Sequence, residues 1–194
     1  MPTNMIRNTG TFGGIDNVLV SEIGLRSPRM ISLDLANFTP LNDDHVVLKP
    51  GTVICQLPSG LGRAYPASIA TAATTTSQTA VTVANPTVFK VGDVLVNQAG
   101  AALGTIQSIN TSTGVITLAA NSVTAIAVGN GVVGNAASSG TFMGIVISEI
   151  DLTNQSNDVG VYTSASVYEA RLPYWSAALS TAFPEITLVN PIIS

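Results

Sequence analysis

Gly129-Asn130-Gly131-Val132-Val133-Gly134 spells G-x-G-x-x-G after an apolar run, and Glu149 stands twenty residues beyond the first glycine, where a dinucleotide site keeps its ribose-binding carboxylate. That chemistry needs a helix directly after the glycines, so that its free N–H groups hold the pyrophosphate. Here the sequence continues NAASSG, and the next strand pattern starts almost at once. The glycines are therefore expected to be turn residues, and no cofactor is assigned.

Asp43-Asp44-His45 joins carboxylates to the single histidine, the residue types used in metal ligation and in proton transfer. Neighbouring side chains on an extended chain point apart, and no second histidine or cysteine completes a metal set. A solvated turn is the expectation. Serine is abundant, but no G-x-S-x-G elbow occurs, and a Ser-His-Asp arrangement would rest wholly on His45. Cys55 sits in the apolar run Val53 to Leu57 and reads as a buried, inert thiol. Sequons at Asn37, Asn110 and Asn154 are spelled correctly, yet a Ser- and Thr-rich chain produces such triplets by coincidence. No catalytic, cofactor-binding or metal-ligating residue is expected, and the chain does not read as an enzyme. Tyr174 and Trp175 admit two readings, core packing or an aromatic anchor between subunits.

Charged residues make up only 9% of the 194 positions, mean hydropathy is +0.43 and the formal net charge is -4. A mildly apolar, weakly charged exterior is most simply covered by partner chains. Two lysines and five scattered arginines do not form a phosphate-binding patch, so nucleic acid is not an expected partner. No apolar stretch is long enough for a membrane-spanning helix, and Met1 to Gly10 has no signal-peptide core, so synthesis in the cytoplasm is expected. One cysteine excludes an intrachain disulfide.

Short apolar runs broken every eight to twelve residues by Gly, Asn or Pro predict a mainly β protein. Residues 1–45 read as an extended arm, in which Ile31, Leu33 and Leu35 alternate with Ser32 and Asp34 as in a half-buried strand able to pair with a neighbouring chain. A core domain is predicted over 46–70 and 138–194. It begins with two short strands turned at Lys49-Pro50-Gly51, and Phe142 to Ile147 reads as a central strand covered on both faces and pairing near Val53. Residues 71–137 contain only two charges, Lys90 and Asp93, and one aromatic, Phe89, and are predicted to be an inserted β barrel or sandwich. Its strands are expected within Thr79–Ala84, Asp93–Asn97, Leu103–Ile109 and Gly114–Ala120. Trp175, Ala178, Leu179, Ala182 and Phe183 follow helical spacing between Pro173 and Pro184, which predicts one helix opened by Tyr174 and Trp175.

Leu48–Ala67 (LKPGTVICQLPSGLGRAYPA) and Gly140–Leu172 together resemble the lambda-type head-decoration (cement) proteins of tailed bacteriophages. The resemblance is carried by the Gly51-Thr52-Val53-Ile54 strand, the Gly62-Arg63-Ala64-Tyr65-Pro66 element, Gly144-Ile145-Val146, a polar loop with Asp151 and Asp158, and a Leu- and Pro-rich close. Val81–Leu95 with Gly104–Leu118 resembles small β modules inserted in phage structural proteins. The resemblance implies a small mixed β domain with one short C-terminal helix, trimeric on the outer surface of the expanded capsid. Its arm would order against the major capsid protein, with Ile6, Arg7, Phe12, Ile31, Leu33 and Leu35 as contacts and Tyr174 and Trp175 between subunits. Competing readings are a tail or fibre component, an adhesion module for a host glycan, or an enzyme built on Gly129–Gly134.

Overall fold

Val53–Gln56 is the central strand of a three-stranded antiparallel sheet, flanked by Thr141–Ile145 and Gly62–Ala64. The computed structural model describes residues 18–21, 28–40, 46–134, 140–152 and 157–190, and it is mainly β. The expected pairing near Val53 is present, as Ile145 lies opposite Val53. The central position belongs to Val53–Gln56 rather than to Phe142–Ile147. Successive residues of a strand face opposite ways, and the chain uses both faces here. Ile54 enters the larger hydrophobic core, whereas Val53 enters a second core with Val167, Leu179 and Phe183. Phe142 and Met143 are only partly buried, and they pack against the second and the larger core respectively.

The predicted turn at Lys49-Pro50-Gly51 is present, with Gly51 at φ +80. It does not make a hairpin, because Val47–Leu48 pairs with Ile150–Asp151 while Val53–Gln56 pairs elsewhere. The strand predicted near Ile31 spans Arg29–Ser32 and pairs with Asp158–Val161 of this chain. A third sheet holds Leu19–Ser21, Ala165–Tyr168 and Ile186–Val189, the last two parallel.

Six strands form one curled antiparallel sheet in the order Ala67–Ile69, Gly131–Gly134, Val94–Asn97, Ala102–Asn110, Val115–Leu118 and Ala80–Thr82. Its two edges meet at the Ala70–Val83 bridge, where Thr71 N–H donates to the Thr82 carbonyl (2.9 Å) and Ala84 N–H to the Ile69 carbonyl (3.0 Å). Joined edges leave a barrel-like sheet rather than a flat sandwich. The curl is built into the longest strand. Leu103, Ile106 and Ile109 all turn toward the core although three residues apart, because register shifts opposite Leu95/Val96 and Thr117/Leu118 each insert one residue.

Phe89, Leu95, Leu103, Ile106, Ile116 and Leu118 fill the interior and are almost fully buried. Each such side chain contributes about 1.5–3 kcal/mol of burial. The core continues without a break into Ile31, Leu33, Phe38 and Leu48. Among the described residues no helix is long and apolar enough to cross a membrane.

The single α-helix among the described residues covers Ala177–Ala182, shorter than the spacing predicts. Ser176 is extended and its Oγ accepts from Leu179 N–H, which places the N-cap after Trp175. Leu179 and Phe183 are buried as predicted, but Ala178 and Ala182 face solvent.

Candidate functional site

The resembling segments converge around Arg63, a charged residue that is only 5% exposed. The register of the small sheet places Phe142 opposite Cys55 and Cys55 opposite Arg63. From the barrel, the turn before Val94 brings Asp93 to this point. Arg63 Nη2 lies 3.8 Å from Asp93 Oδ2, with both side chains almost fully enclosed. That distance is an ion pair rather than a direct hydrogen bond. Burial pushes the Asp93 carboxyl above its ordinary range, offset in part by Arg63, by the Lys90 backbone and by the Lys90 charge. Desolvation therefore outweighs the partner's attraction, as is common for enclosed ion pairs.

Burial also pushes the Cys55 thiol up to about 12, with Arg63 pulling the other way. A thiol held that high is not a nucleophile at neutral pH, and the inert reading of Cys55 agrees with this. Tyr65, in the same element, is likewise pushed up to about 12 by burial, then by Tyr174 and Cys55. Its ring packs edge-on against Phe142 (5.2 Å between centroids), and Phe142 in turn meets Phe183 (6.1 Å).

The glycine motif takes a form that sequence reasoning missed. Only Gly129 is in a turn, at φ +83; Gly131–Gly134 is a strand paired on both sides, with Ala67–Ile69 and Val94–Asn97. Backbone groups engaged in a sheet are not available to cradle phosphate. The glycines serve close packing instead. A Cβ on Gly131 would stand 2.4 Å from Tyr174 Cε2, and one on Gly134 would stand 3.2 Å from Pro66 Cβ. Glu149 is exposed and lines a surface groove with Lys49 and Arg171 rather than the glycine strand.

Tyr174 is buried against Gly131 and Tyr65, which is the core-packing reading. Trp175 is half-buried, its Nε1–H donating to Ser180 Oγ at 2.8 Å. Ile31 and Leu33, expected to touch a capsid, are 6% and 2% exposed and packed inside this chain. Strand pairing turns them inward and leaves Met30, 65% exposed, as the outward apolar side chain. Leu35 opens a 3-10 turn and is half-buried. Two of the sequon asparagines hold local turns: Asn37 Nδ2 donates to Asp34 Oδ2 (2.8 Å), and Asn110 Oδ1 accepts from the N–H groups of Ser112 and Thr113. Asp158 accepts from the Ser32 hydroxyl. Ile6, Arg7, Phe12, Asp43, Asp44, His45 and Asn154 lie outside the described residues.

Two features went unseen in the sequence. One is the Arg63–Asp93 pair, whose only signal is that a stretch nearly free of charge keeps an aspartate. The other is a buried polar strip in which Ser68 Oγ accepts from Asn85 N–H (2.9 Å) and Thr87 Oγ1 donates to Asn85 Oδ1 (3.0 Å). Among the described residues no group of His, Cys, Asp and Glu is placed to hold a metal ion. Comparison of the chain with protein-family models, curated proteins and solved structures finds no match.

Proposed function

We propose that this chain is a capsid decoration protein that binds the outer surface of a tailed-phage head, contacting the major capsid protein and copies of itself as a trimer. The observation that carries this reading is spatial. The two segments that resemble lambda-type decoration proteins are some seventy residues apart in sequence, yet Val53–Gln56, Gly62–Ala64 and Thr141–Ile145 form one sheet. The charge-poor barrel lies between them in sequence.

In this role the protein does no chemistry and acts by binding free energy alone. A ligand that binds only the assembled shell shifts the equilibrium toward it, and many modest contacts act together through multivalency. The weakly charged exterior and outward Met30 favour such contacts. The test is co-sedimentation of the purified chain with expanded tailed-phage heads stripped of their decoration protein. Saturable binding that raises the temperature of head disruption is expected; a chain that stays in the supernatant at all concentrations overturns the reading.

A further inference from the structure

Among the described residues, Ile186–Val189 is an edge strand, paired on one side only, with Ala165–Tyr168. Such an edge accepts another strand unless charge, proline, a bulge or closure protects it. Other edges of the molecule show that protection. The barrel edges join at Ala70–Val83, Leu19–Ser21 carries a register irregularity, and Arg29–Ser32 begins with an arginine. Ile-Thr-Leu-Val has neither charge nor proline, its register is regular, and Thr187 is exposed.

The backbone fixes which groups are open. Tyr168 N–H donates to the Val18 carbonyl (2.8 Å) and Ile186 N–H to the Phe183 carbonyl (3.1 Å), so Ala165 and Val167 bond to the edge strand through Thr187 and Val189. Alternate residues of a strand turn their backbone groups to opposite sides. The N–H and C=O of Leu188 and the C=O of Ile186 therefore face outward, and none has a partner among the described residues.

We infer that this edge pairs antiparallel with the same strand of a second copy, about a two-fold axis through Leu188. In this register the two Leu188 residues exchange N–H···O=C bonds, and Asn190 N–H of each copy donates to the Ile186 carbonyl of the other. An axis through Thr187 would instead need the Ile186 N–H, which Phe183 already holds. An axis perpendicular to the sheet keeps every side chain on its own face. Leu188, packed against the second core, meets Leu188, and Thr187 meets Val189 on the outer face. The Glu185 carboxylates of the two copies lie at opposite ends of the paired segment, so like charges do not meet. This contact rests on the free chain rather than on the capsid reading, and its test contains no capsids.

Thr187 and Val189 form a non-hydrogen-bonded pair in this register, with Cα atoms about 4.5 Å apart, which is within disulfide reach. A mixture of Thr187→Cys and Val189→Cys chains under mild oxidation is expected to form the mixed disulfide at least about tenfold faster than either chain forms its own. Cys55 is buried and does not compete. Sedimentation equilibrium of the wild-type chain should show a concentration-dependent doubling of mass. Asn190→Pro, at an exposed position, removes the outward N–H and should weaken that doubling at least about fivefold with the circular dichroism spectrum unchanged. A mixed disulfide no faster than the single-variant ones, a mass that never doubles, or doubling untouched by Asn190→Pro would each overturn the inference.

Discussion

Arg63 and Asp93, thirty residues apart in sequence, face each other at 3.8 Å where the small sheet meets the barrel. Asp93 is one of only two charged residues between positions 71 and 137. The barrel thus spends half its charge on an enclosed contact with the surrounding sheets. The attraction within such a pair is set against desolvation of both groups.

Asp93→Ala removes the anion beside a buried guanidinium and is expected to destabilise the chain by about 3 kcal/mol in denaturant unfolding. The double variant Arg63→Met/Asp93→Leu should recover most of that loss, because no charge is then enclosed. A double variant as unstable as the sum of its singles would contradict this account.

The pH dependence follows from the raised Asp93 carboxyl. The folded chain holds this proton more tightly than the unfolded chain, so the group favours folding most below its ordinary value of 3.8. That contribution is lost as pH rises through the elevated folded-state value. Relative to Asp93→Asn, the wild-type melting temperature should fall across this acid window. Parallel curves for the two proteins would remove Asp93 as the cause.

Gly131→Ala forces a methyl group to 2.4 Å from the Tyr174 ring and should cost roughly 1–3 kcal/mol through overpacking. Pairing it with Tyr174→Leu should return part of the loss. Gly129→Ala meets no neighbour within 4 Å, so only its φ of +83 opposes the side chain, at about 1–2 kcal/mol. Thermal unfolding of the three variants separates packing from backbone strain.

Cys55 should resist iodoacetamide in the native chain at mildly alkaline pH, since burial holds its thiol up to about 12. In denaturant the same thiol should react at the rate of an ordinary cysteine. Rapid native labelling would mean that the Thr141–Ile145 edge opens readily.

Much of the barrel was legible because its signal is local. In Val115–Leu118 the apolar Ile116 and Leu118 alternate with Val115 and Thr117, and in Ala80–Thr82 a β-branched Val-Thr pair follows Ala80; each run is bounded by turn residues, which places those strands without knowledge of their neighbours. The helix was legible through Leu179 and Phe183, but its start was not. Pro173 is a good opening signal, yet Ser176 takes the cap while Tyr174 packs against Gly131. In the same way, inward alternation at Ile31 and Leu33 was plain, whereas the surface they meet was not.

The sequence by itself determined that this is a β protein, where its chain turns, and that its exterior is poor in charge. Only the tertiary structure decided that Val53–Gln56 is central and that Gly131–Gly134 is a paired strand rather than a loop. It alone matched Arg63 to Asp93 and set Lys49 against the Ala84 carbonyl of the barrel. The reason is physical: periodicity and turn preference act within a few residues, whereas strand order, enclosed ion pairs and grooves depend on which distant surfaces bury one another.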